Sequence, residues 1–364
     1  MTPSRLTVRR LLPRAVSVPM SRPLVTGVGT IQAAPLVLLD LETVEGLTGL
    51  SYVICYTPLA LKPLVQLLAD IGDLLAGDPV SPDSIQRKLL ARVRLLGLSG
   101  LVGLALSAVD MAAWDAFAKS AGMPLARLLG GEPRPIPAYN SCGLGLIGPE
   151  KLGAEAVELL QGGFRAVKLR LGYADWKTDL AAVRSVRDAA GAEILLPVDY
   201  NQCLTVAEAI RRGHVLDAEG LEWIEEPTRA ADYEGHAAIA RDLRTPIQLG
   251  ENWWGVDEMS QSIAARASEL AMPDAGRIGG VTGWMRAAAL AHGHGLPLSS
   301  HLYPEISAHL LAVSPTCHWL EYADWASAIL QEPVRPQSGF VTASEKPGCG
   351  LAWDEDAVMK FLAA

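Results

Sequence analysis

No two of the five cysteines (Cys55, Cys142, Cys203, Cys317, Cys349) lie close together. That spacing excludes a disulfide framework and a paired-cysteine zinc site, and it fits a reducing, cytoplasmic compartment. Clusters of lysine and arginine are also missing. With a formal charge of -9 and a pI near 5.3, the chain lacks the basic stripe that nucleic acid demands. Long apolar runs are absent too: the stretch from Leu95 to Val109 is broken by glycine and serine and stops at Asp110, too short for a bilayer. The apolar residues near the amino terminus are interrupted by Pro13, Arg14 and Ser17, which argues against a signal peptide. The expectation is a cytoplasmic protein that binds neither nucleic acid nor membrane.

What is present is a series of short apolar runs that end in polar groups. They end at or near Lys168, Asp199, Glu225, Glu251, Asp274, His301 and Glu321, at intervals of 31, 26, 26, 23, 27 and 20 residues. Each interval accommodates one strand and its return helix. Between them, Lys177 to Ala190 and Thr205 to Leu216 carry apolar residues at helical spacing, and Thr205 with Glu208 forms a capping-box pattern. Seven strands leave one to find, and Pro137 to Asn140, ahead of a helical pattern from Pro149 to Gln161, supplies it. Parallel strands converge their carboxyl ends on one mouth, where an α/β barrel keeps its chemistry.

A chain of 364 residues is long for one barrel. Ahead of the barrel, Leu6 to Pro19, Pro35 to Thr43 and Thr48 to Ile54 read as a three-stranded meander, and Ser21 to Ala34 as a long Gly-rich loop suited to a lid. Helical patterns follow at Pro58 to Leu75, Ser84 to Leu95 and Ser99 to Ser120, then a Pro/Gly linker from Pro124 to Pro137. This predicts an α+β capping domain over residues 1–130, completed by the tail 331–364, and a barrel over 131–330. The fold class is α/β, a TIM-like barrel with an α+β cap.

Asp199, Glu225 and Glu251 end three consecutive strands. Carboxylates forced together repel unless a hard cation joins them, and an all-oxygen set suits Mg²⁺, or Mn²⁺. Lys168 and Arg170, two apart, share a strand face and inside a barrel must meet something anionic. His301 and Asp274 end neighbouring strands and can pair, which makes His301 a general base poised near neutral pH.

The order Lys168-x-Arg170, Asp199, Glu225-Glu226-Pro227, Gly250-Glu251-Asn252, Asp274, His301 and Glu321 resembles the mandelate racemase group of the enolase superfamily (mandelate racemase/muconate lactonizing enzyme family). The likeness runs from about Val16 to Leu330. It includes Ala108-Val109-Asp110-Met111-Ala112-Ala113-Trp114-Asp115 in the cap and Ser300-His301-Leu302-Tyr303-Pro304-Glu305-Ile306-Ser307 in the barrel. The resemblance implies a modified (β/α)7β barrel with magnesium on Asp199, Glu225 and Glu251, and a homo-oligomer, often an octamer. It gives Lys168 the neutralisation of a substrate carboxylate and His301, supported by Asp274, the role of a base. Glu321 becomes a proton-holding acid beside the enolate, which requires a raised pKa. Asn201 and the cap positions Leu24, Ile31 and Tyr56, with Leu302, would touch a small 2-hydroxy carboxylate.

One position departs from the family. Arg170 stands where the racemase has a second lysine that serves the opposite face of the α-carbon, and arginine is a poor base. A single base suits dehydration of an acid sugar, whereas the apolar pocket positions suit an aryl or alkyl group and hence a racemase. Racemisation of a mandelate-like acid is the leading expectation. A His301-Asp274 dehydratase is the alternative, and a ligand-binding barrel without turnover is the third reading.

Overall fold

The computed structural model describes residues 6–363. An antiparallel meander opens the chain: β1 (Val8–Thr26), β2 (Gly29–Thr43) and β3 (Thr48–Ile54) pair in sequence order. Three helices cover it, α1 (Leu61–Leu75), α2 (Pro82–Val93) and α3 (Leu101–Ser120). The apolar positions Leu61, Leu64, Leu68, Ile71 and Leu75 make one buried stripe of α1 at helical spacing. By length and composition α3 could cross a bilayer, yet 78% of its apolar window is buried inside the protein, so those side chains belong to the core. The two acids interrupting its apolar face are both satisfied. Asp115 accepts from Leu50 N (2.8 Å), Cys349 N (2.6 Å) and Lys119 Nζ (2.6 Å), tying helix, sheet and tail together.

The Gly-rich loop expected over 21–34 is instead the far half of a β-hairpin. The β1–β2 ladder is interrupted between Pro19 and Leu24, where Pro19 and Pro23 have no N–H to give, then resumes to Thr26 opposite Gly29. Glycine is confined to the tip. Gly27 sits so close to Cys203 that a Cβ there would lie 2.8 Å from the cysteine Cβ, which presses the hairpin onto the barrel mouth.

After a short helix α4 (Leu125–Leu128), eight parallel strands alternate with seven helices. In order they are β4 (Pro135–Asn140), α5 (Pro149–Leu159), β5 (Leu169–Arg170), α6 (Trp176–Ala190), β6 (Val198–Asp199), α7 (Val206–Leu216), β7 (Ile224–Glu225) and α8 (Tyr233–Asp242). Then come β8 (Ile247–Leu249), α9 (Val256–Ala265), β9 (Leu270–Ala271), α10 (Gly280–Gly293), β10 (Leu298–Ser300), α11 (Pro304–Ala312) and β11 (Cys317–Tyr322). This is the (β/α)7β barrel. Strand β11 pairs with β4, and β4 meets the start of the β5 segment through an Asn140–Val167 bridge, which closes the ring.

The tail divides between the two units. Strand β12 (Phe340–Thr342) pairs antiparallel with β4, on the barrel. Beyond it, α12 (Glu355–Lys360) returns to the cap: Glu355 meets Arg14 at 2.5 Å, and Ser17 N donates to Phe361 O at 2.9 Å.

Cap and barrel are joined by buried polar contacts. Asp110 of α3 accepts from Thr282 N (2.9 Å) and Thr282 Oγ1 (2.5 Å) in the first turn of α10, while Trp114 Nε1 donates to the same hydroxyl (2.8 Å). Gly280, at φ +68°, is required here, since a Cβ would strike the Asp110 carboxylate. Burial pushes the Asp110 carboxyl up to about 7 against the opposing pull of the Thr282 hydrogen bonds. The folded state therefore holds this proton more tightly than the unfolded chain. The stability it confers is complete below pH 3.8 and is lost as pH rises through about 7. Thermal melts across that window should show the native protein losing stability relative to Asp110→Asn as pH increases; parallel curves would contradict the assignment.

Candidate active site

Three strands of two residues each set the first rung. Arg170 pairs with Asp199, and Asp199 with Glu225. The next residue on that rung is Gln248, so Glu251 joins from the turn after β8, beyond Gly250 at φ +139°. Asp199, Glu225 and Glu251 bring carboxylate oxygens within 4.8 Å of one another. Into them reaches Lys168 Nζ, buried, 2.9 Å from Glu225, 3.4 Å from Asp199 and 2.6 Å from Glu321.

On the opposite side His301 Nδ1 lies 2.6 Å from Asp274, and its Nε2 lies 3.1 Å from Glu251 and 3.7 Å from Glu321. Burial lowers the imidazole pKa, but Glu251, Glu321 and Asp274 outweigh it and hold His301 at about 9, above the near-neutral value expected from sequence. Glu321 also departs from expectation. Burial raises its pKa, yet Lys168, His301 and Arg170 together bring the carboxyl down to about 2, where a raised value was expected. It is further held by Ser141 Oγ (2.7 Å) and Leu302 N (3.0 Å).

Arg170 is clamped. Its Nη1 donates to the carbonyls of Ser141 (3.1 Å) and Gly143 (2.8 Å), and its Nη2 to Ser141 Oγ (2.6 Å). Only Nε has no partner. Ser141 thus links Arg170 to Glu321.

These groups line one cavity of about 270 Å³, together with Asn201 and the apolar positions Leu24, Ile31, Tyr56 and Leu302. Glu225, beneath them, completes the acidic floor. All the sequence-derived site residues are therefore in or against one chamber, Asp274 standing behind His301. Several of the chain's left-handed non-glycine residues surround it: Tyr56, Asn201, Gln202, Glu226 and Leu302, at φ between 39° and 66°. Strain concentrated at strand ends is characteristic of sites where side chains must be aimed.

Sequence reasoning missed Ser141, Trp325, Asn252 and Arg277 in this wall. Asn252 follows Glu251 inside the quoted motif and donates to Glu226 at 2.6 Å, so the motif itself was a signal. Arg277 had none. It donates to Glu251 O (2.9 Å) and to Asn252 Oδ1 while stacking 4.5 Å from the Tyr56 ring.

The donor set fits a divalent cation. Asp199, Glu225, Glu226, Glu251, Asp274 and Glu321 face Lys168, Arg170, Arg277 and His301, leaving two negative charges unmatched if all are ionised. That excess raises the pKa of the carboxylates at its centre. Burial, then Asp199 and Glu251, push Glu225 to about 8 despite Lys168, and burial with Glu251 and Asp199 carries Glu226 well above the carboxylate range. Asp199, Glu225 and Glu251 are the carboxylates that could hold Mg²⁺, by their convergence and all-oxygen chemistry.

Residues 11–130 match the mandelate racemase/muconate lactonizing enzyme N-terminal domain, and residues 151–357 match the enolase C-terminal domain-like family. The chain is similar to a solved enolase from the alpha proteobacterium BAL199 with bound magnesium (47% identity, TM-score 0.96, covering 98% of this chain and 100% of that one). It is likewise similar to a Bradyrhizobium enolase complexed with magnesium and mandelic acid (46% identity, TM-score 0.95, all of both chains). L-talarate/galactarate dehydratase of Salmonella typhimurium is 37% identical over 79% of this chain and 73% of its own length.

Asp199→Asn should weaken Mg²⁺ binding by about 100-fold or more, measured by calorimetric titration, because a neutral amide replaces one of three anionic ligands. Unchanged affinity would remove Asp199 from the metal site.

Proposed function

The chain belongs to the mandelate racemase/muconate lactonizing enzyme family of the enolase superfamily, and we propose that it transfers the α-proton of a mandelate-like 2-hydroxy acid, with racemisation as the outcome. The observation that supports this most is one chamber in which the His301–Asp274 pair faces Lys168 and Glu321 across a side wall built from Leu24, Val28, Ile31, Leu302 and Trp325. A carboxylate end is recognised on one side and an aryl-sized apolar group on the other. The magnesium and mandelic acid in the Bradyrhizobium protein support the same reading.

Lys168 neutralises the substrate carboxylate, with Glu321 alongside it. Asp199, Glu225 and Glu251 would hold magnesium, which would supply Lewis-acid stabilisation of developing oxyanion charge. In its neutral form, which a cation on Glu251 would favour by offsetting that carboxylate's pull, His301 takes the α-proton at Nε2, because Nδ1–H is committed to Asp274, which fixes the tautomer and stabilises the imidazolium. Leu302 N and Ser141 Oγ hold the Glu321 carboxylate in place against Lys168. On the second face Arg170 can offer one guanidinium proton, from Nε–H or from the Nη2–H that is not bonded to Ser141. Donating that proton leaves a neutral guanidine, which is costly, so return from this face is slow. The enantiomer whose α-proton faces His301 should then exchange it faster than it inverts.

The clamp on Arg170 also favours a second reading, one-base dehydration of an acid sugar by His301. Tyr56 OH and Asn201 Oδ1 are buried without partners and could meet sugar hydroxyls, and Arg277 and Asn252 add polar surface nearby.

Both enantiomers of mandelate, and galactarate and talarate, incubated in D₂O with Mg²⁺ separate the two. Deuterium uptake by both mandelate enantiomers, with inversion, is the expected result; 2-keto acid from a sugar acid with inert mandelate would replace it with dehydration. Arg170→Lys should speed exchange of the slower mandelate enantiomer by about tenfold or more, since an amine is a far better base than guanidine. His301→Asn should abolish exchange of the faster one, and normal exchange in that variant would remove His301 from its role.

A further inference from the structure

A second cavity, of about 380 Å³, lies on the other side of Arg277 from the active chamber. Its walls come from α2 and α3 of the cap and from the loops that precede α9 and α10 of the barrel, so it is a pocket at the seam of the two units. Most of the lining is apolar, with Ile85, Leu89, Leu106, Trp254 and Ile278 among the larger side chains. Apolar cavities less than half that size, roughly 150 Å³, take up benzene.

Three polar atoms on this lining have no hydrogen-bond partner: Ser107 Oγ, Gln86 Oε1 and Arg277 Nε. Ser107 is fully buried. A buried helical serine ordinarily bonds back to a carbonyl of the preceding turn, and an orphaned hydroxyl is destabilising. The residues that line this space thus carry one donor–acceptor, one acceptor and one donor without a partner. Of the charged lining groups, Arg277 is already matched on the active-chamber side, Asp110 accepts two hydrogen bonds from Thr282, and Asp257 and Arg286 are one of each sign. No unmatched charge calls for an ionic ligand.

We propose that this cavity is a binding site for a small uncharged amphiphile, an aromatic or medium-chain alcohol, and that its occupancy is coupled to the metal site through Arg277. Arg277 lines both cavities. Its Nη1 donates to the backbone oxygen of Glu251, and its guanidinium carbon lies 4.5 Å from the Tyr56 ring and 5.4 Å from the Trp254 ring. A hydroxyl oxygen that accepts from Arg277 Nε–H, or a ring placed against Trp254, changes the rest position of the group that fixes the Glu251 turn. By reciprocity, filling the metal site changes affinity in the seam cavity. None of this depends on which substrate the active chamber takes.

Calorimetric titration of benzyl alcohol into the whole protein, with and without saturating Mg²⁺, tests it. The expected result is about one alcohol bound per chain, with an affinity that differs by about fivefold or more between the two conditions. Ser107→Leu and Leu90→Phe, which add side-chain volume to the lining, should each weaken the alcohol by about tenfold or more while leaving circular dichroism unchanged. Absence of binding to the native protein would overturn the proposal, as would equal binding by either folded variant. Identical affinity with and without Mg²⁺ would overturn the coupling.

Discussion

A lysine ammonium buried in the barrel and surrounded by carboxylates is the constraint on which the rest of this structure depends. Lys168 Nζ has Glu321, Glu225 and Asp199 within 3.4 Å, and all four groups are almost without solvent. Removing any one from water carries a penalty of several kcal/mol per ion, recovered only where the charges interlock. They do so incompletely. Burial and mutual repulsion leave Glu225 and Glu226 with raised pKa values, an excess of negative charge that a divalent cation would relieve. The fold accepts this arrangement at the mouth, where a charged substrate and a metal can complete it.

That constraint explains the architecture around it. Barrel strands shortened to two residues place Arg170, Asp199 and Glu225 on one rung, and the following turns carry Asn201, Glu226 and Leu302 in left-handed conformations. The cap then closes the chamber from above. Its hairpin tip rests on Cys203, Leu146 N donates to Val25 O at 2.8 Å, and Tyr56 stacks on Arg277. Cap and barrel share the Asp110–Thr282 and Tyr52–Glu305 contacts, so the apolar wall of the chamber and its charged floor are held in one frame.

Much of this was legible in the sequence because ionisable residues interrupt apolar runs at barrel intervals, a pattern that needs no partner to be seen. Helices such as α6 and α7 were legible from their spacing. Local rules held only in part: Thr205 Oγ1 does accept from Glu208 N (3.3 Å), but the Glu208 carboxylate turns to Arg211 and Arg212 and leaves the capping box half-formed. The hairpin over 21–34 was not legible, since glycine and proline suggest a loop and only pairing with the distant strand shows otherwise. Ser141 and Arg277 were invisible for a related reason. Ser141 meets Glu321 across 180 residues, and Arg277 acts through backbone oxygen and aromatic faces, which leave no periodic mark. The pKa directions of His301 and Glu321 depend on the sum of several buried charges, which no single pair of residues predicts.

The central claim is that the carboxylate cluster around Lys168 is a divalent-cation site in which the lysine is reserved for an anionic substrate. Anomalous diffraction from crystals grown with Mn²⁺ and a 2-hydroxy acid addresses it directly. The account predicts one strong peak bounded by Asp199, Glu225 and Glu251, with Lys168 Nζ against the substrate carboxylate. A peak elsewhere, or an ordered hydroxy acid that leaves Lys168 engaged only with protein carboxylates, would contradict it.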